Sequence, residues 1–306
     1  MKLFYVSIIL IFFQNCSFDN KTGIWKNENN ASNKDKNLFE EFEKLSTTYE
    51  NFDKIIKLSK DIKLKQTKAI DNFEWNDIFY NKTNNFKNYK YNDQNKLLFK
   101  SKKITKYKVN DHLLFSNNNL IANDQKGNLI VFSINENKII SKFNFYKKKY
   151  KKTKKFLNYI VENNIIYVSD NIGFLYAFDY KKNKIIWAKN YKVPFRSNLK
   201  ISDNKLMAVS QNNNLYFYDK ETGDVLSSIP TEETIVQNKF INNLSLSNNN
   251  QILTFLNTYG SLYGIENKSM RVKWVLNLNP SVDLNPSNLF NGNQILVNND
   301  NIIASS

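Results

Sequence analysis

One motif recurs four times between residues 127 and 274 with its internal offsets unchanged. Taking Gly127, Gly173, Asn213 and Gly260 as position zero, each copy has Leu two residues later, at Leu129, Leu175, Leu215 and Leu262. A large apolar residue follows at five (Phe132, Phe178, Tyr218, Ile265) and a polar one at six (Ser133, Asp179, Asp219, Glu266). Ile139, Ile185, Val225 and Val272 stand at twelve, and Ser141, Trp187, Ser227 and Trp274 at fourteen. The copies begin 46, 40 and 47 residues apart, so length varies only outside the motif. A period of this size with a fixed register marks a stacked repeat architecture.

The residues inside the period select strands. Gly173 to Asp179 is an apolar run, Tyr180 to Asn183 a polar turn, and Lys184 to Trp187 a second apolar run, which together read as a hairpin. Position zero holds Gly or Asn, the residues that tolerate positive φ. A further strand precedes each zero, over 165–169, 206–210 and 252–256, and segments such as 198–201 supply a fourth. Four strands per period make a propeller blade. One such sheet cannot cover its own faces, so blades stack, and Trp187 and Trp274 are expected to fill the gaps between them. The fold class is therefore all-β, a propeller with about five blades visible. A partial first blade is expected near 75–115, where Trp75, Phe79 and Tyr80 suggest a first strand and 96–100 another. Asn293 to Ser306 starts a fifth copy without a closing hairpin. The expectation is that the sequence stops short of ring closure or that the ring closes unusually.

The first residues have a different character. Met1-Lys2 precedes an apolar run from Leu3 to Phe13, then Gln14, Asn15 and Cys16, the single cysteine of the chain. A basic start and a short apolar run fit a signal peptide. Such a run is too short for a membrane-spanning helix, which needs about 20 residues. Residues 17–37 are polar and aperiodic and read as a tether. Leu38, Phe42, Leu45, Tyr49, Phe52 and Ile56 form one helical stripe, expected to bind a partner or to pack on the propeller itself. The domain reading is thus 1–15 signal, 16–70 tether with a possible short helix, and 71–306 propeller.

The remaining features narrow the function. A net charge of +16 raises nucleic-acid binding. Against it, Lys greatly outnumbers Arg, the residue that reads bases bidentately, and no nucleic-acid motif is present. One cysteine and one histidine, His112, offer neither an internal disulfide nor a metal cluster. Lys147 to Lys149, Lys151, Lys152, Lys154 and Lys155 crowd one expected inter-blade loop, either a solvated loop or a contact for anionic lipid head groups.

The motif Gly-x-Leu-Tyr-Ala-Phe-Asp followed eight residues later by Trp resembles the quinoprotein-type (PQQ-like) propeller repeat. With the signal ending at Cys16, the chain resembles the BamB-like outer-membrane assembly lipoproteins. That resemblance implies an eight-bladed ring, a diacylglyceryl group on Cys16, and a lipid-anchored place on the periplasmic face of the outer membrane. It further implies a scaffold with no catalytic role and no cofactor, whose partners are a BamA-like β-barrel protein and nascent outer-membrane proteins. Val193-Pro194-Phe195-Arg196-Ser197 resembles the family's partner loop, so Val193, Phe195 and Arg196 are the expected contact residues. The alternative for this segment is an ordinary inter-blade strand with Phe195 buried. Two other functional classes stay open: a quinone-dependent dehydrogenase built on the same repeat, which needs carboxylates around one site, and a generic lipid-anchored propeller with other periplasmic ligands. Asp179, Asp219 and Glu266 recur at one place in successive blades, spread around the ring, and hairpin capping explains them more simply than a quinone site.

Overall fold

The computed structural model describes residues 68–305 apart from 72–73, 92–96, 98, 233–242, 280–289, 291 and 299–300, together with the backbone of two short strands near the N-terminus. Those strands, β1 (Cys16–Phe18) and β2 (Trp25–Asn27), pair antiparallel. They belong to a separate unit, Met1–Ile56, distinct from the body Lys57–Ser306. The signal run 1–15 and the stripe 38–56 lie outside the described residues.

The body holds four complete four-stranded antiparallel sheets. Sheet one comprises β3 (Leu114–Ser116), β4 (Asn119–Asn123), β5 (Asn128–Ser133) and β6 (Lys138–Asn144). Sheet two comprises β7 (Leu157–Glu162), β8 (Ile165–Asp170), β9 (Phe174–Asp179) and β10 (Lys184–Asn190). Sheet three comprises β11 (Lys200–Ser202), β12 (Lys205–Val209), β13 (Leu215–Asp219) and β14 (Val225–Ile229). Sheet four comprises β15 (Asn243–Leu246), β16 (Ile252–Leu256), β17 (Ser261–Glu266) and β18 (Arg271–Asn277). A two-stranded start of a fifth follows, β19 (Leu296–Asn298) and β20 (Asn301–Ile303). Within each sheet the strands run in sequence order, as consecutive hairpins require.

The motif's chemistry explains each hairpin. Gly127, Gly173, Asn213 and Gly260 have φ of 79°, 103°, 65° and 90°, the left-handed region expected at position zero. The polar residue at six caps the following turn. Asp179 Oδ1 accepts from the backbone of Lys181 and Lys182 (3.0 and 2.9 Å), and Asp219 Oδ1 from Glu221 and Thr222 (2.8 and 3.0 Å). A second turn anchor, three residues before zero, escaped the sequence reading. Asp170 Oδ1 accepts from the backbone N–H of Ile172, Gly173 and Phe174, each at 2.8 Å. Asp124 and Asn257 do the same work in sheets one and four.

Every complete sheet also carries a bulge at offset thirteen, at Ile140, Ile186, Leu226 and Lys273. The bulge puts offset fourteen opposite offset four. The cross-strand pairs are Val131 with Ser141, Ala177 with Trp187, Phe217 with Ser227 and Gly264 with Trp274. Where one member is large the other is small, as in Ala177–Trp187, Phe217–Ser227 and Gly264–Trp274, so the two positions exchange volume.

Apolar clusters lie between successive sheets. Leu129, Val131, Val168 and Phe178 join sheets one and two, and Leu175, Ala177, Leu206 and Ala208 join two and three. Phe217, Leu244 and Phe255 join three and four, and Leu256, Leu262 and Val297 close onto the fifth. Trp187 fills its gap as expected. It is 9% exposed, its Nε1 donates to Lys220 O at 2.9 Å, and its ring lies against Gly223 in the next sheet's turn. Trp274 does not: it remains 36% exposed over Gly264 of its own sheet. The fifth sheet comprises two strands among the described residues, with no third-to-fourth-strand turn to receive the ring as Gly223 receives Trp187.

The expected first partial blade near 75–115 is corrected. Leu114–Ser116 is already the first strand of a complete sheet, and Leu97, Phe99 and Lys100 are not in a strand. Residues 75–84 instead cross the first strands of all five sheets. Trp75 exchanges backbone hydrogen bonds with Phe115 (2.7 and 2.9 Å), and Val161 N donates to Asn76 O (2.9 Å). Leu246 N donates to Lys82 O (2.8 Å) and Val297 N to Thr83 O (3.0 Å). The third sheet is held by a side chain, Lys200, whose Nζ meets Asp77 Oδ2 at 2.6 Å. First strands are sheet edges with open backbone groups, and this segment satisfies one on sheet after sheet. Tyr80 and Asn84, at φ 80° and 56°, turn the chain so that it pairs one residue at a time instead of forming a strand.

Candidate interaction surface

The loop Tyr191–Ser197 leaves β10, crosses between sheets two and three and enters β11. Its mount is the position-zero turn of sheet two. Tyr191 N donates to Gly173 O (2.8 Å), and Phe195 N to Asp170 O (3.0 Å). A Cβ on Gly173 would stand 2.9 Å from Val193 N and 3.0 Å from Val193 O, so only glycine lets the loop backbone approach this closely. On the far side Arg196 N donates to Val209 O (3.1 Å) and Gln211 N to Pro194 O (2.7 Å). Ser197 Oγ accepts from Val209 N at 2.7 Å. The loop is thus bonded to both blades it joins.

The three expected contact residues lie together but differ in exposure. Phe195 is 2% exposed and packs among Leu199, Leu206, Ala208 and Tyr218 in the core between the sheets. Its ring meets Tyr191 and Tyr218 edge-on, with centroids 6.1 and 6.3 Å away. Phe195 therefore anchors the loop, as the inter-blade alternative anticipates. Val193 and Arg196 are half-buried and reach the surface. Arg196 Nε is buried without a hydrogen-bond partner among the described residues. Burial pushes the guanidinium below its usual range, although an Arg stays charged. A desolvated cation with an unused donor is a costly arrangement that an incoming acceptor would relieve.

Other residues singled out in the sequence are placed as follows. Cys16 begins β1, and only its backbone is described. Asp179, Asp219 and Glu266 sit on their own hairpins, in three different sheets, where the first two cap turns and Glu266 accepts from Ser269 Oγ at 2.5 Å. His112 is half-buried, its ring edge-on to Phe79 at 6.2 Å. The lysine-rich run is indeed an inter-blade loop between β6 and β7, with a short 3-10 turn over Lys148–Tyr150.

The stacked sheets resemble known structures in fold. A computationally designed protein, Ika8, superposes with a TM-score of 0.50 at 11% identity, over 63% of this chain and 54% of the designed one. BamB from Moraxella catarrhalis matches with a TM-score of 0.44 at 12% identity, over 53% of this chain and 50% of that one. The chain thus spans about half the length of each solved structure. No curated protein matches. A family model does match across residues 125–305, from the position-zero turn of the first sheet to the end of β20. With its repeats covered over more than half its length, the chain belongs to the propeller family described as outer membrane protein assembly factor BamB.

Proposed function

We propose that this chain is a lipid-anchored, non-enzymatic scaffold of the outer-membrane β-barrel assembly machinery. It binds a BamA-like protein through the 191–197 loop and assists insertion of nascent outer-membrane proteins. The observation that carries this reading is the loop itself. Phe195 and the Gly173 turn hold it rigid, and it presents Val193 beside an Arg196 whose buried Nε has no partner among the described residues. A pre-organised loop with an apolar contact next to an Arg suits an interface hot spot. Family membership supports the choice of partner and a place at the periplasmic face of the outer membrane. The signal-like run ending in Cys16 supports a diacylglyceryl anchor on that thiol.

The carboxylates that a quinone enzyme would use are committed to local turns, in three separate sheets, which favours binding over catalysis. The test is co-purification of the BamA-like protein from solubilised membranes. Arg196→Glu should abolish it while leaving the circular dichroism spectrum and melting temperature close to wild type. Undiminished co-purification would refute the loop assignment. Mass spectrometry of the mature N-terminus tests the anchor separately, and an unmodified Cys16 would rule it out.

A further inference from the structure

The lysines of the 147–155 loop fold back against sheet one and line a cleft of about 630 Å³. Lys126, Lys147, Lys148, Lys151 and Lys155 surround it with Tyr107, Tyr146, Asn128 and Asn144. No acidic side chain is among the lining residues. Lys126, Lys147, Lys148 and Lys151 are exposed at the rim, whereas Lys155 is 2% exposed at the floor. The floor is a built feature. Lys155 N donates to Gln125 O (3.2 Å), and the Lys155 stem and the Tyr146 ring both pack directly over Gly127, where a Cβ would meet them at 3.1 and 2.4 Å. Position zero of sheet one is thus the hinge point on which the cleft rests.

Lys155 Nζ donates to Tyr150 O and stands 5.2 Å from the Tyr146 ring centre, yet none of the five lysines forms an ion pair among the described residues. Two carboxylates lie in the neighbouring turns, and Asp170 partly offsets the Lys155 charge. Asp124 accepts from Thr105, Asn128 and two backbone N–H groups, and Asp170 accepts from the Tyr146 hydroxyl at 2.5 Å and from three backbone N–H groups. Burial, with Lys126 close by, holds the Lys155 ammonium below its ordinary range against the opposing pull of Asp170. A buried ammonium has three donors, and only one is used here.

We infer that this cleft binds a phosphate ester or diphosphate group, with Lys155 as the buried contact and Lys126, Lys147, Lys148 and Lys151 as the rim. Phosphate fits better than carboxylate because the cleft offers several convergent point charges and no Arg fork for a planar bidentate anion. Clustered cations on a low-dielectric floor concentrate their field on a small, highly charged ligand. The phosphate is carried either by a soluble molecule or by a phospholipid head group.

Two probes separate these sources on the intact chain: inorganic pyrophosphate by titration calorimetry, and flotation with vesicles of equimolar phosphatidylglycerol and phosphatidylcholine. Lys147→Gln/Lys151→Gln, both exposed positions, is compared with Lys181→Gln/Lys268→Gln, which removes equal charge from other blades, and Lys126→Gln with Lys181→Gln alone. The cleft variants should weaken at least one probe about tenfold, and the control should not. A soluble ligand is indicated if pyrophosphate responds, and a membrane surface if only vesicles do. If neither probe binds, or if the control loses as much as the cleft variants, the inference is overturned.

Discussion

Replacing Lys200 by Met tests how the 75–84 segment is fastened to sheet three, where a buried side-chain ion pair holds it. In the wild type, Lys200 is fully buried and its Nζ uses all three donors, on Asp77 Oδ2 (2.6 Å), Asn81 O (2.9 Å) and Asn84 Oδ1 (2.5 Å). Asp77 is equally buried, and its other oxygen accepts from Phe79 N at 2.9 Å. Burial pushes the Asp77 carboxyl up and the Lys200 ammonium down, each opposed by its partner. Removing the lysine leaves a carboxylate without its counter-ion, a loss of about 3–5 kcal/mol. For a body of this size each kcal/mol lowers Tm by about 2–4 °C, so the expected drop is about 6–20 °C. The deficit depends on pH. In Lys200→Met the Asp77 carboxyl titrates higher still, so the folded state keeps a proton that the unfolded chain releases above its ordinary 3.8. Stability then falls as pH rises, by about 1.4 kcal/mol per unit until the folded carboxyl ionises. Because the wild-type Asp77 carboxyl is itself raised above 3.8, both proteins lose stability in parallel at first, and over about pH 4 to pH 7 the gap should widen only once the pH passes the wild-type folded value. Asp77→Leu/Lys200→Met should recover part of the loss, because two apolar groups replace two buried charges. Differential scanning calorimetry across that pH range decides it. A variant within about 1 kcal/mol of wild type, or a gap that does not change with pH, would refute the claim that this pair fastens the segment to sheet three.

Two further substitutions probe the repeat. Gly264→Val should cost about 1–3 kcal/mol, because even a Cβ would stand 2.0 Å from Trp274 Cε2. Adding Trp274→Ser recreates the Val131–Ser141 pairing of sheet one and should restore most of that loss in urea unfolding; no restoration would contradict the volume-exchange rule. Gly173→Ala places a side chain at φ 103° against the Val193 backbone. It should cost about 1–3 kcal/mol and weaken partner capture together with stability, and normal capture would separate the loop from its mount.

How much of this was legible in the chain depends on whether a feature repeats. Position zero, the capping residues Asp179 and Asp219, and the hairpins they define recur in register, because every blade solves the same turn problem. The anchor at Asp124, Asp170 and Asn257 recurs too, at a fixed offset of three before position zero, and is legible in the same alignment. The bulge was harder to see, since it shows only in how offsets four and fourteen exchange size, as in Ala177 with Trp187. The segment 75–84 is not repeated at all. Trp75, Asp77, Lys82 and Thr83 each bond to a different sheet, so no periodicity betrays it, and aromatic residues such as Phe79 and Tyr80 imitate a strand. The lysine cleft was half legible. The run 147–155 stands out, but Lys126 and Tyr107 join it only through folding, and nothing in the run distinguishes the buried Lys155 from its exposed neighbours. At the partner loop the pattern drew attention to Phe195, whereas the fold puts Val193 and Arg196 at the surface and Phe195 beneath them.

The most direct test of the proposed docking role is a photo-crosslinking amino acid at Val193, used in cells that contain the BamA-like partner. We predict a covalent adduct with that protein at Val193, lost when Arg196→Glu is added and absent from the same probe at Lys181, on the exposed hairpin turn of sheet two. No adduct at Val193, or an equal adduct at Lys181, would contradict the assignment of the 191–197 loop as the partner-binding surface.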